Sequence, residues 1–277
     1  MGRTVSGVLI LCATPIGNLA DMSQRLMETL RTADVVFAED TRRSRVLMDA
    51  AGASAPMRSY FAGNEQARGQ ELADRLRAGE TVALVTDAGM PAISDPGLSA
   101  VRVAIEVGAQ VTAVPGPSAA TMAVALSGLP SDRFVFEGFL PRKGADRKRR
   151  LAGLAGEERT AVLFVAPSRL EADLAALAGV LGPDRPLAVT RELTKLHEEV
   201  WRGTLGEAVD EWSEREARGE FTVVIGGAVP VPPTLEEAVV MARRFVADGL
   251  SRASAARRAA EEAGVAKRLI YEELHRD

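Results

Sequence analysis

Residues 81–120 read TVALVTDAGMPAISDPGLSAVRVAIEVGAQVTAVPGPSAA, and the fold follows from them. Thr81–Val85 is a short apolar run with the composition of a buried strand. A loop rich in Gly and Pro follows through Gly97. Residues 98–107 have helical length and stop at Gly108. Gln110–Val114 is a second strand, ended by Pro115-Gly116-Pro117. Ser118 stands at a helix N-cap position ahead of an apolar run to Leu126. Strand, helix, strand, helix at this spacing is the βαβ pattern, which predicts a largely parallel sheet.

The same alternation extends outward. Val8–Cys12 is an apolar strand that ends in Thr14-Pro15-Ile16-Gly17-Asn18. Residues 21–31 have helical spacing, with Met22, Leu26 and Leu30 on one face; 35–38 is a strand; 64–79 is a polar-faced helix closed by Gly79. The pattern pauses at residues 128–132. It resumes with strands at 134–138, 160–165, 187–191, 198–204 and 221–226, and helices at 145–155, 168–181 and 206–218. Pro230, Pro232 and Pro233 mark a linker, and 234–277 reads as three short helices rich in Ala, Arg and Glu. The expected organisation is an N-terminal α/β domain over 1–129, a C-terminal α/β domain over 130–230 and a helical tail over 231–277.

Composition narrows the function. The chain has 277 residues, is 47% apolar and 26% charged, and carries a net charge of −4. This is a soluble globular composition, which excludes disordered, collagen-like and coiled-coil classes. Cys12 is the single cysteine, so no disulfide framework exists and the cytoplasm is the expected compartment. One cysteine with His197 and His275 does not build a four-ligand zinc site, and no metal is expected. No apolar run approaches a bilayer span, so no membrane is expected. Met1–Ser6 fits the minimal myristoylation pattern, but an apolar strand follows at once.

Three loops at successive strand ends cluster Gly and Pro around a few polar groups: 14–19, 87–97 and 115–118. Ligands of parallel α/β sheets bind beyond the carboxyl ends of strands. The chain has no phosphate-cradling G-x-x-x-x-G-K-[ST], no dinucleotide G-x-G-x-x-G after a strand and no G-x-S-x-G elbow. The expected ligand is therefore neither a triphosphate nor a dinucleotide. Two charged strings also follow strands. Glu39-Asp40-Thr41-Arg42-Arg43 serves either to anchor substrate and relay a proton or, through Asp40, to cap a helix. Residues 191–198, Arg-Glu-Leu-Thr-Lys-Leu-His-Glu, serve either a site or a solvated turn. Arg142, Lys143, Arg147, Lys148, Arg149 and Arg150 form the densest charge in the chain, opposed locally only by Asp146. They are either a solvated helix start or a phosphate-binding run. Ser251–Leu274, two short helices around Gly264, is either a helix-turn-helix-like element or a small helical cap.

Seven strings, in order, carry a family resemblance: ATPIGNLADMS (13–23), AEDTRRSRVL (38–47), ALVTDAGMPAISDPG (83–97), VPGPSAA (114–120), FEGFLPRK (136–143), TRELTKLHEE (190–199) and GEFTVVIGG (219–227). From about residue 8 to the C-terminus the chain resembles the small-subunit ribosomal RNA methyltransferase I family, of the tetrapyrrole methylase-like fold. The resemblance implies a two-domain α/β protein with a helical tail, a homodimer, and S-adenosylmethionine held between the domains. It implies methylation of the ribose 2′-oxygen of a decoding-centre cytidine in 16S ribosomal RNA, within the 30S subunit. By the same resemblance the cofactor lies near Ile16 and Gly17, Asp87 and Met90, and Ser118 and Ala119, with Phe164 and Val165 closing over it.

The expected RNA contacts are the basic run and the tail. The expected catalytic groups are Asp40, Arg42, Glu192 and Lys195: Asp40 or a Lys195 of depressed pKa as base, and Arg42 on a phosphate. On that reading Asp40→Ala or Lys195→Ala lowers turnover by at least about 100-fold. One string departs from the family, which commonly carries aromatic-Glu-Ser-Pro-His-Arg near 164–169. Here Phe164-Val165-Ala166-Pro167-Ser168-Arg169 lacks the Glu and the His. Three rivals stand beside this reading: a methyltransferase of the same fold acting on a tetrapyrrole or diphthamide precursor, a nucleic-acid-binding regulator working through the tail, and a pure cofactor-binding scaffold without turnover.

Overall fold

The structure, a computed structural model, describes residues 7–229 and 233–276. The Met1–Ser6 pattern and the linker residues Pro230 and Pro232 lie outside the described residues. The chain divides into two compact units, Met1–Ala228 and Val229–Asp277.

The first sheet of the larger unit contains β1 (Val8–Cys12), β2 (Val35–Ala38), β3 (Met57–Ser59), β4 (Thr81–Val85) and β5 (Gln110–Val114), in the order β3-β2-β4-β1-β5. Every pairing in it is parallel. That follows from its interior strands: all four residues of β2 and the last four of β4 are buried, as strands covered on both faces require. The helices that follow these strands are α1 (Gln24–Thr32), α2 (Thr41–Ala51), α3 (Glu65–Arg77) and α4 (Leu98–Glu106). Leu26, Leu30, Leu47 and Met48 from α1 and α2 form one core with Val36, Ala83 and Val85. Leu72, Leu76, Ala100 and Ala104 from α3 and α4 form another with Leu9, Phe37, Val82 and Leu84. Ser23 starts α1 as expected of a cap, its hydroxyl accepting from Leu26 N at 3.1 Å.

The second sheet holds β6 (Phe134–Phe139), β7 (Thr160–Val165), β8 (Pro186–Arg191), β9 (Glu199–Thr204) and β10 (Phe221–Ile225), in the order β6-β7-β10-β8-β9. Here the expectation of a largely parallel sheet fails. Only β6 and β7 are parallel; β10 runs antiparallel to both β7 and β8, and β9 antiparallel to β8. Strand–helix alternation does not distinguish a strand added at an edge from one inserted in reverse between two earlier strands, and β10 is inserted. Helices α6 (Gly144–Ala155), α7 (Leu170–Leu181) and α8 (Leu205–Glu214) pack Leu154, Leu174, Leu177 and Trp212 against Leu163, Val189 and Val223. The opposite face is covered by α5 (Ala119–Ser127), which follows β5 of the first sheet: Ala120, Ala123 and Val124 meet Val162 and Val224. Through α5 the loops after the first sheet's strands are brought to the second sheet.

The smaller unit contains α9 (Leu235–Ala247), α10 (Arg252–Ala263) and α11 (Lys267–Glu273). Thr234 and Glu237 form a capping box at the start of α9, and Gly264, at φ 66°, ends α10 in the left-handed conformation. Ala238, Ala242, Ala256, Ala259 and Ile270 give this unit a core of its own.

Candidate active site

A cavity of about 410 Å³ opens where the three Gly/Pro loops converge. The first sheet supplies Ile16 after β1, Ala88–Met90 and Ile93–Asp95 after β4, and Ser118–Ala120 at the start of α5. The second sheet supplies Phe139, Phe164–Pro167, Leu193 and Glu220–Thr222. The loops are tied by short backbone contacts. Thr14 N donates to Gly89 O at 2.9 Å and Gly89 N to Thr14 O at 3.2 Å. Gly116 lies so close to Ala13 that an added Cβ would sit 3.0 Å from its carbonyl oxygen. The walls are largely apolar, with Phe139 and Phe164 edge-to-face at 5.6 Å.

Six of the eight residues expected around a cofactor line this cavity: Ile16, Met90, Ser118, Ala119, Phe164 and Val165. Gly17 and Asp87 are not on its wall. Gly17, at φ 155°, carries the aliphatic stem of Lys195; a Cβ there would meet Lys195 Cγ at 2.5 Å. Asp87 points one oxygen at Arg43 Nη1, 2.8 Å away, and its Oδ1 is buried with no hydrogen-bond partner.

The four residues expected in catalysis separate into two places. Asp40 accepts from Arg42 N at 2.8 Å as the N-cap of α2, and pairs with the exposed Arg42 guanidinium at 3.2 Å. Hydrogen bonds from the Arg42 side chain and backbone hold its carboxyl below the usual range. Neither residue lines the cavity. A carboxylate so stabilised is a weak base, and Asp40→Asn, which keeps the cap, is expected to leave both methyl transfer and Tm close to wild type. Asp40→Ala is expected to lower Tm by a few degrees through loss of the cap, read in thermal unfolding.

Glu192 and Lys195 stand at the cavity's rim. Lys195 Nζ donates to Glu192 Oε1 at 2.8 Å and to Glu220 Oε2 at 3.0 Å, and Glu220 lines the cavity. The loop that carries them is strained, with Glu192 at φ 51° and Thr194 at φ 68°. Burial alone would lower the Lys195 pKa, but the hydrogen bonds to the two glutamates outweigh it and raise it. The expected depression is therefore corrected: the Lys195 pKa is raised, and its ammonium bridges the two glutamates.

The basic run is more heavily opposed than its sequence suggests. Arg147 is folded inward, 2.7 Å from the buried Asp173, which Arg169 also meets at 2.8 Å. Arg149 pairs with Asp146, and Arg150 with Glu137. Arg142, Lys143 and Lys148 are exposed and make no ion pair among the described residues. Arg147→Ala is accordingly expected to destabilise the fold by about 1–3 kcal/mol, read in urea unfolding, because it strips a buried carboxylate of one partner.

Asp95, Phe139, Leu193 and Glu220 line the cavity without having been singled out from the sequence. Glu220 and Phe221 were hidden by the reversal of β10. The rule that ligands sit at carboxyl ends of strands does not point to the amino end of an antiparallel one. Asp95 lay within a loop already chosen, beside Pro and Gly.

Comparison with known proteins places the chain. Residues 8–209 match the family of Tetrapyrrole (Corrin/Porphyrin) Methylases. A Synechocystis protein named Ribosomal RNA small subunit methyltransferase I is 46% identical over 269 residues, covering 96% of each chain. The Mycobacterium tuberculosis protein of that name is 47% identical over 270 residues, 96% of this chain and 94% of that one. Among solved structures, the methyltransferase CobJ superposes with a TM-score of 0.62 at 18% identity, covering 82% of this chain and 97% of its own. Uroporphyrin-III C-methyl transferase from Thermus thermophilus, solved with S-adenyl homocysteine, superposes with a TM-score of 0.57 at 20% identity, covering 79% of this chain and 97% of its own. These likenesses carry the α/β fold, and the near full-length identities carry more: the chain belongs to the ribosomal RNA small subunit methyltransferase I family, within the tetrapyrrole methylases.

Proposed function

We propose that the protein transfers the methyl group of S-adenosylmethionine to the ribose 2′-oxygen of a decoding-centre cytidine in 16S ribosomal RNA, in the 30S subunit, as a cytoplasmic homodimer. The observation that carries this reading is the strand-end cavity, in a chain so similar over its whole length to named ribosomal RNA methyltransferases. Among the described residues no helix is long and apolar enough to cross a membrane, and no cluster suits a metal ion.

The cavity fits the methyl donor. Its volume is that of a small-molecule site, and its walls suit an adenine ring and a thioether chain. The amino end of α5, at Ser118–Ala120, offers backbone N–H groups to a carboxylate. Asp87 Oδ1 is buried without a hydrogen-bond partner in the loop that supplies Ala88–Met90, although Asp87 itself is off the cavity wall. When bound, S-adenosylmethionine supplies a methyl group already activated on a cationic sulfur. The protein's own residues then exclude water, align the hydroxyl and receive its proton. Val165 and Ala166 line the cavity where the family string departs.

RNA would be met by the exposed cations at the start of α6 and by the helical tail. The division at 129–130 belongs to the same reading. Changing Arg142, Lys143 and Lys148 to Gln together is expected to reduce the slope of log affinity against log salt by about 2, as loss of three phosphate contacts should. An unchanged slope returns these residues to a solvated helix face.

Labelled S-adenosylmethionine, offered with 30S subunits lacking the modification, free 16S RNA and a tetrapyrrole precursor, tests the substrate. Label entering the subunit is the expected result. Label entering only the tetrapyrrole would overturn the RNA reading and leave the fold intact.

A further inference from the structure

Resting on the function just proposed, we infer that Asp95 is a catalytic residue, the carboxylate that accepts the proton of the attacking ribose hydroxyl. Among the described residues only two ionisable side chains line the cavity, Asp95 and Glu220. Glu220 is neutralised by Lys195 at 3.0 Å, and its side chain is 73% exposed. Asp95 is partly buried and has no ion-pair partner among the described residues.

The backbone around Asp95 is built at a conformational cost. Ala92 at φ 70° and Ser94 at φ 63° are non-glycine residues in the left-handed region. Such strain persists where surrounding structure enforces it, and it concentrates at functional sites. The enforcement is visible. Ala92 N donates to Pro96 O at 3.1 Å, Gly97 N donates to Glu65 Oε1 at 3.0 Å, and a Cβ on Gly97 would sit 3.0 Å from Ala92 N. Beside the loop, the Thr86 side chain, 2% exposed, lies close enough to the Asp95 carboxyl to favour its charged form.

The electrostatics agree with this placement. Burial, then the negative charge of Glu39 and to a lesser degree that of Asp87, push the Asp95 carboxyl up to about 6, against the Thr86 hydroxyl, which lowers it. The other charges around it are Arg43, which pairs with Asp87 at 2.8 Å; Glu65, on Gly97 N; and Glu220 with its Lys195. A base with its pKa near the working pH combines the right protonation state with adequate proton affinity. In the transfer, the oxygen–carbon bond forms as the carbon–sulfur bond breaks and its electron pair stays on sulfur. The hydroxyl proton goes to Asp95.

The test compares wild type, Asp95→Asn and Asp95→Glu. Single-turnover rates are measured at saturating S-adenosylmethionine and 30S subunits from about pH 5 to 8.5, with calorimetric affinity for S-adenosylhomocysteine. The wild-type rate should fall as pH drops through about 6, where Asp95 takes up a proton. Asp95→Asn should be about 100-fold slower and lack that limb, with affinity for S-adenosylhomocysteine within about threefold of wild type. Asp95→Glu should recover part of the rate and of the limb. As a readout apart from turnover, carboxyl carbon NMR of wild type should show an aspartate titrating near 6 that is absent from Asp95→Asn. An active wild type with a fast Asp95→Asn that keeps the limb overturns the inference. So does an Asp95→Asn that loses S-adenosylhomocysteine affinity but turns over normally at saturation, which would make Asp95 a cofactor ligand. A wild type that methylates no RNA sinks the proposed function and this inference with it.

Discussion

Ala119→Trp is expected to weaken S-adenosylhomocysteine binding about 100-fold, close to 3 kcal/mol, while Tm moves by no more than a few degrees. Ala119 is the first residue of α5, half-buried, with its methyl on the cavity wall. An indole there occupies space the ligand needs and covers the helix's free amides. The fold should tolerate the change with a fall of a few degrees, because Ala120, Ala123 and Val124 are the buried contacts of α5 with the second sheet, whereas Ala119 is only half-buried at the edge of that cluster. Calorimetry with S-adenosylhomocysteine, beside thermal unfolding, gives both numbers. Undiminished affinity would mean that the cofactor lies elsewhere.

Lys195→Met is expected to slow methyl transfer about 100-fold, and Lys195→Arg to restore most of the rate. Methionine keeps an apolar stem over Gly17 but removes the cation that Glu192 and Glu220 share. Two carboxylates then face one another at the rim, one of them on the cavity wall, and repel. The strained turn at Glu192–Thr194 loses the tie that orders it. Arginine supplies the cation without a titratable proton near neutrality, so rescue by Lys195→Arg separates a bridging charge from a base. A dead Lys195→Arg with intact cofactor affinity would restore the base reading. In wild type burial alone would raise the Glu192 carboxyl, but the hydrogen bonds from Lys195 and Glu220 N, with the charges of Lys195 and Arg191, together hold it below the usual carboxylate range, so the bridge should persist through mildly acidic pH.

How far the fold could be read from the sequence depended on how each element declares itself. Strands β1, β2, β4 and β5 are apolar runs bounded by breakers, and they sit where the alternation puts them. Helix α2 was legible only as one of two alternatives, through the cap Asp40, because its face is spread among Arg42, Arg43 and Arg45. Strand β3 has three residues on an edge, too few for a periodic signal. The reversal of β10 is a tertiary choice: its residues, Phe221–Ile225, are all buried and read alike in either direction. The site divided in the same way. Its loops were legible because Gly and Pro punctuate strand ends. The partners of charged groups were not, since they come from distant positions. Asp173 lies 26 residues beyond Arg147, and Glu220 lies 25 beyond Lys195.

The most direct test of a ribose 2′-oxygen methyltransferase is where the methyl ends up. After transfer from labelled S-adenosylmethionine to unmodified 30S subunits, the 16S RNA is digested in alkali, which cleaves only where a free 2′-hydroxyl can attack the neighbouring phosphate. Label recovered in an alkali-resistant dinucleotide, with a methylated cytidine ribose at its 5′ position, is the expected result. Label released in mononucleotides would put the methyl on a base and contradict a ribose methyltransferase.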